Sequence, residues 1–305
     1  MTEQVSKWPE LHLANWRDTA DTLHMWTQVV GKIRLALSPK VNHWWQVPLY
    51  VSTRGLTTSP LSYGERVFEM EFDFLDHNLA IRENDRATNY VPLYARPVAD
   101  FYRETMAVLH AMGVDVKIWP KPVEVPDPIP FTEDTAHASY DAGAVARFHR
   151  ILLSVDAMLK EFRGGFLGKA SPVHFFWGSF DLAVPRFSGR RAPERPGADA
   201  MTREAYSHEC SSAGFWPGGG PVNDTAFYSY TVPEPEGYAQ YGVRPGGAFY
   251  HAELKEFILM YDDVRRAASP EAALLEFFES TYEAGAALGK WDRAALERPK
   301  IKTAS

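Results

Sequence analysis

The chain has 305 residues, 45% hydrophobic and 23% charged, with a formal net charge of -7. That balance supports a folded core, and the length suggests two domains or one large domain in two halves. The negative charge argues against a nucleic-acid partner, which needs clustered Lys and Arg, and the single cysteine, Cys210, excludes an intrachain disulfide.

The first sixteen residues lack a basic region followed by an apolar run, so no secretory signal is expected. No run of about 18 apolar residues occurs, so no membrane partner is expected. A reducing, cytoplasmic location is the resulting expectation. Asn15 or Asp18 can cap a first helix, on which Leu23, Trp26, Val30, Ile33 and Leu37 repeat at helical spacing. Residues 45–52 read as a strand. Phe68, Met70, Phe72 and Phe74 alternate with Glu69, Glu71 and Asp73, which predicts a half-buried strand with its acidic face in solvent. A second helix is expected over 97–112 and a short strand over 114–119. Five prolines crowd 120–130; lacking amide donors, they predict an extended connector.

Beyond it, Asp141 can cap a helix whose stripe is Val145, Phe148, Leu152, Val155, Leu159 and Phe162. A β-rich region follows, broken by Pro/Gly-rich loops. Residues 249–264 fit strand or helix equally. A last helix runs over 270–288, with Pro270 suited to its first turn. The expected organisation is therefore α+β: a first half over 1–119, a connector over 120–140 and a second half over 141–305. Each half reads as helix, antiparallel sheet, helix. His43-Trp44-Trp45 and His174-Phe175-Phe176 stand at corresponding places, which suggests a pseudo-duplication.

Several long segments carry a resemblance. They are 41–45 (VNHWW), 54–60 (RGLTTSP), 171–181 (SPVHFFWGSFD) and 207–220, which opens Ser207-His208-Glu209 and closes Gly214-Phe215-Trp216-Pro217-Gly218-Gly219-Gly220. In these the chain resembles the bacterial DUF5996 family over residues 8–297. That family is one of unknown function, so the resemblance marks hallmark segments and implies no catalytic residue.

The chemistry is therefore read from the residues. Gly178-Ser179 predicts a two-residue hairpin turn between 173–177 and 180–184. In that register Trp177, Phe175 and Val173 share an apolar face with Phe180, Leu182 and Val184. His174, Phe176, Asp181 and Ala183 share the other. His174 and Asp181 become diagonal neighbours, roughly 7 Å apart at the backbone, and an Asp-oriented His can act as a general base. His208 shares a strand face with Cys210. Arg186, Arg190, Arg191 and Arg195 cluster after the hairpin, and Arg54 holds a similar place in the first half; guanidinium groups suit anion recognition. No HExxH, P-loop, dinucleotide or GxSxG pattern is present, so no metal site and no particular cofactor is expected.

The leading expectation is a small-molecule-binding protein or enzyme with an aromatic-lined pocket. His174, Asp181 and His208 are its candidate catalytic residues. Trp177, Trp216, Arg54, Arg186 and His43 are its candidate ligand contacts. The alternative is a non-catalytic structural or protein-interaction module in which the same side chains only pack.

Overall fold

The computed structural model describes residues 6–299. Compaction divides them into two units: residues up to Ser154 with His174–Leu182, and Val155–Val173 with the residues from Ala183 onward.

In the first unit, the apolar stripe becomes helix α1 (Arg17–Leu37), with Leu23, Trp26, Val30 and Ile33 buried. Six short strands follow: β1 (Tyr50–Val51), β2 (Gly55–Thr57), β3 (Leu61–Tyr63), β4 (Arg66–Asp73), β5 (Asn78–Glu83) and β6 (Asn89–Pro92). They form an antiparallel sheet in the order β1-β2-β4-β5-β6, with β3 also paired to β4. Helix α2 (Val98–Ala111) packs on α1. Its Phe101 ring stacks on Trp26 at 4.8 Å and on Phe72 of β4 at 6.2 Å.

Three local expectations are corrected here. Residues 45–52 contribute only the two residues of β1. A 3-10 turn, Asn42–Trp44, precedes it, with His43 and Trp44 both in the left-handed region (φ 59 and 60), and Pro48 removes a ladder donor. Residues 114–119 form no strand, since they join no ladder. The acidic face of β4 is not in solvent: Glu71 and Asp73 are buried. Arg82 and Ser52 bind the two Glu71 oxygens at 2.5 and 2.6 Å, and Arg54 binds Asp73 at 2.5 Å. Burial pushes the Asp73 carboxyl up, but Arg54 and the amides of Asp76 and Leu75 together hold it below its ordinary value. Period two assigns side chains to faces but says nothing of what covers the second face.

Helix α3 (Ala142–Gly164) begins in the first unit, where Asp141 caps the Ala144 amide at 3.0 Å, and ends in the second. Strand β7 (His174–Phe176) and the first residues of β8 (Asp181–Arg191) form a hairpin inside the first unit. The turn covers residues 177–180 rather than Gly178-Ser179 alone, and Phe180 takes a left-handed φ of 59.

The second unit continues with α4 (Ala200–Ala205), β9 (His208–Trp216), β10 (Ala226–Val232), β11 (Phe249–His251), β12 (Glu256–Met260), α5 (Tyr261–Arg265), α6 (Pro270–Leu288) and α7 (Arg293–Leu296). The ambiguous 249–264 segment is thus two strands and then one helical turn and a half. Ser269 caps α6 by accepting from the Ala272 amide, and Pro270 occupies its first turn. The second sheet has the order β11-β12-β10-β9-β8-β7. Helix α6 covers one face of β9 and β10, where Phe278 meets Phe227 at 6.1 Å.

The α+β class with two six-stranded antiparallel sheets is thus what the chain adopts. The strand orders differ in detail, and they do not show the pseudo-duplication expected from sequence. The first follows chain order apart from β3, whereas in the second β12 lies between β10 and β11. His43 sits in a 3-10 turn and His174 in a strand, so these two approaches to the sheets are not equivalent.

Candidate functional site

The residues singled out in the sequence fall in both units. His43, Arg54, His174, Trp177 and Asp181 belong to the first, and Arg186, His208 and Trp216 to the second.

In the first unit, the His174 ring is fully buried and lies edge-on to Tyr50 at 5.6 Å, Phe176 at 5.5 Å and Trp45 at 6.0 Å. His43 is buried beside Trp45 at 5.2 Å. Trp177 donates its indole N–H to the Val47 carbonyl at 2.7 Å and packs on Gly31. Asp181 accepts from Ser179 Oγ at 2.5 Å. The nearby Glu124 carboxyl is pushed up by burial and by the Asp181 charge. Arg54 joins Asp73 and Asp76. These side chains are held by packing and pairing around the turn.

That turn carries a pH signature. His24 Nε2 bonds the Gly178 carbonyl at 2.8 Å, and its ring stacks on Phe180 at 5.0 Å. Burial lowers the His24 pKa from 6.5 to about 4, against the opposing pull of its bonds to the Gly178 and Trp177 carbonyls. A base with a depressed folded pKa takes up its proton first in the unfolded state, so stability falls with pH across this window. Urea titrations should therefore show up to about 3 kcal/mol lost between pH 6.5 and 4. His24→Gln should flatten that slope. An unchanged slope in the variant would remove His24 as its source.

A cavity of about 400 Å³ lies at the start of α1, lined by Trp16, Arg17, Asp18, Ser139, Tyr140 and Asp141 among others. Asp141 is already used as the α3 cap, and Asp18 supplies charge to the first turn of α1. The helix N-termini here are complemented by the chain's own carboxylates.

The second unit builds a different cavity. In the β9–β10 register, Cys210 pairs with Val232, Ser212 with Tyr230, and Gly214 with Tyr228. Paired residues share a face and alternate along the strand. His208, Cys210 and Ser212 therefore lie on one face with Tyr228, Tyr230 and Val232. The other face carries Phe227 and Thr231, which meet Phe278 and Gly285 of α6. Over the first face the chain makes an excursion between β8 and β9 through α4, closed by the Ala192 amide on the Ser207 carbonyl at 3.1 Å. Asp199 caps α4 by accepting from the Thr202 amide at 2.9 Å. The excursion brings the Tyr206 hydroxyl to 2.9 Å from that of Tyr230 and the Arg195 guanidinium to 4.4 Å over the Tyr206 ring. Arg195, Tyr206, Tyr230, Val232, Pro233, Glu234, Leu254, Lys255 and Glu256 are among the residues lining a cavity of about 440 Å³.

Two groups on this sheet face hold their protons. Burial pushes the Tyr230 phenol well above its ordinary value and the Cys210 thiol up to about 12. Both stay neutral at pH 7, so they supply hydrogen bonds and packing rather than a nucleophile. Burial, then Lys169 and Arg191, lower the His208 pKa below 6.5, which keeps it neutral as well.

The other second-unit candidates lie elsewhere. Trp216 ends the nine-residue strand that His208 begins, about 26 Å away at strand rise, so the two cannot line one small cavity. The glycine run after Trp216 is a tight crossing: a Cβ on Gly218 would lie 2.6 Å from the Asp224 backbone. Arg186 is 1% exposed and enclosed by aromatic rings. Tyr206, Tyr230 and Lys255 were not singled out in the sequence. The alternation of β10 could have placed Tyr230 on one face with Tyr228, whereas no local pattern marks Tyr206 or Lys255. Among the described residues, no group of three or more His, Cys, Asp or Glu is placed to hold a metal, and no helix is long and apolar enough to cross a membrane.

Fold and cavities together define a two-unit α+β protein with two antiparallel sheets and a tyrosine-lined cavity in the second unit. A model for the family of unknown function DUF5996 matches residues 8–298, and the chain belongs to that family. No curated protein and no solved structure matches it.

Proposed function

We propose that this protein binds a small organic molecule in the cavity of its second unit. The carrying observation is the Tyr206–Tyr230 hydroxyl pair at 2.9 Å beneath Arg195, at one end of about 440 Å³ of space. Cavities of this size with aromatic walls and a few converging polar groups are the usual form of a small-molecule site. Neutral Tyr230 and Cys210 favour binding over nucleophilic chemistry, and His208 shares the sheet face of Tyr230 without lining the cavity.

The test is a thermal-shift screen of small organic compounds on the full chain. A ligand at 100 times its Kd should add about 2.7 kcal/mol of stability. Leu254→Trp, which fills the second-unit cavity, should abolish the shift, while Ala95→Trp, which fills the cavity at the start of α1, should leave it intact. The reverse pattern would move the site to the first unit and refute this reading. An interaction module is the competing reading, favoured by Trp119, Tyr90 and Tyr94, which are 69%, 56% and 54% exposed.

A further inference from the structure

We propose that residues 119–125 form a latch across α1 that opens while the rest of the first unit stays folded, and that the enclosed ammonium of Lys32 sets how readily it opens. The argument begins with what holds the segment. It joins no ladder, and Pro120 and Pro122 have no amide to donate. Among the described residues, four hydrogen bonds tie its backbone to the fold. Gln28 donates to the Val123 carbonyl at 2.8 Å and accepts from the Val123 amide at 2.9 Å. Lys32 donates to the Lys121 carbonyl at 2.8 Å, and the Phe131 amide donates to the Pro120 carbonyl at 2.8 Å. His24, Gln28 and Lys32 stand one turn apart on α1, so a single polar row holds this segment and the Gly178 turn. Packing adds little. Pro122 is buried, but Trp119 and Val123 are 69% and 38% exposed.

Two features oppose closure. Glu124 holds a left-handed φ of 58, which residues with a Cβ rarely adopt. Its carboxyl also lies against Gly178, where a Cβ would be 2.5 Å from Oε1. The second feature is Lys32 itself. It is 6% exposed, with the Phe131 and Trp177 rings each 5.9 Å from Nζ. Burial lowers its pKa from 10.5 to about 8, and no carboxylate opposes that shift. At pH 7 the closed latch therefore encloses a charge without a counter-charge, which is costly, and the two rings offset part of that cost.

Linkage gives the sign. Opening returns Lys32 to water and to its ordinary pKa. From about pH 8 to 10.5 the open form then keeps a proton that the closed form has lost, so the latch tightens as pH rises. The other titrating groups beside the segment act differently. His24, lowered to about 4 by burial, is neutral from pH 7 upward. Glu124 is raised by burial and then by the Asp181 charge, so its ionisation loosens the latch as pH rises. Tightening with pH is the signature of Lys32.

The experiment is hydrogen exchange on the full chain, read by NMR at the Val123 amide and at the amides of the β4–β5 ladder. Val123 should exchange through an opening about a hundredfold or more as frequent as the one that frees the ladder. Corrected for the intrinsic rate, its protection should rise about tenfold from pH 7 to pH 9. In Lys32→Met it should stay level over that range. Gln28→Leu should strip protection from Val123 and leave the ladder unchanged. Val123 exchanging no faster than the ladder, or both losing protection together in Gln28→Leu, overturns the latch. A wild-type profile that is level or falls with pH overturns the role of Lys32, and needs no variant to fold. An equal rise in Lys32→Met overturns it as well.

Discussion

Replacing Arg186 with alanine is expected to lower the stability of the second unit by about 3–5 kcal/mol, the cost of breaking a buried charge network. The guanidinium is 1% exposed. Its central carbon lies 3.4 Å over the Phe162 ring, 4.4 Å over Tyr282 and 5.4 Å over Phe166. One amino group donates to the Phe162 carbonyl and, at 3.0 Å, to Glu279. Phe162 lies in the last turn of α3, where carbonyls have no partner within the helix. Arg186 therefore caps α3 as well as filling the aromatic pocket, and its charge complements the negative end of the helix. Burial lowers its pKa and Glu279 opposes that. Arg186→Met, which keeps most of the volume, should cost less than Arg186→Ala. Glu279→Gln should cost less than either, because the Glu279 side chain is about half exposed. Urea denaturation showing Arg186→Ala within about 1 kcal/mol of wild type would discard the structural role and restore the ligand-contact role expected from sequence.

The second large effect is at Gly31, in the middle of α1. A Cβ there would lie 2.2 Å from Trp177 Cδ1 and 2.3 Å from its Nε1. The indole cannot simply move away, because its N–H is tied to the Val47 carbonyl at 2.7 Å. Gly31→Ala gains up to about 1 kcal/mol of helix propensity. It costs about 1–3 kcal/mol in overpacking and about 1–3 kcal/mol if the buried N–H loses its acceptor. The expected net is a loss of about 1–5 kcal/mol. The decisive measurement is the double-mutant cycle with Trp177→Leu. With the indole gone, Gly31→Ala should become neutral or stabilising. Equal cost in both backgrounds would show that Trp177 is not what requires glycine at this position.

The helices were legible because their signals are local. The 3.6-residue stripes of α1 and α3, and Pro270 at the start of α6, each lie within a few turns of chain. The β4 alternation and the hairpin around residue 178 were legible for the same reason. The turn itself was read as two residues. It holds four because Phe180 adopts a left-handed conformation, supported by ring contacts to His24, Phe148 and Phe175 at 5.0, 5.5 and 5.4 Å. Those partners come from α1, α3 and β7, and no short window of sequence contains them.

The candidate site divides along the same line. Sequence named Arg195 as one of an arginine cluster, and placed His208 and Cys210 on one strand face, because alternation along a strand is independent of its neighbours. It grouped His208 with Trp216, His174 and Asp181, since residue chemistry carries no distance. The strand separates the first two by its whole length, and the last two belong to the hairpin of the first unit. Composition and periodicity were sufficient for the α+β class, the major helices and the main alternating strands. The meeting of Tyr206 with Tyr230, the covering of Glu71 and Asp73, and the enclosure of Arg186 required the folded chain. Each joins residues 11 to 93 positions apart, and such contacts depend on ladder register and on which element covers a face, neither of which local periodicity encodes.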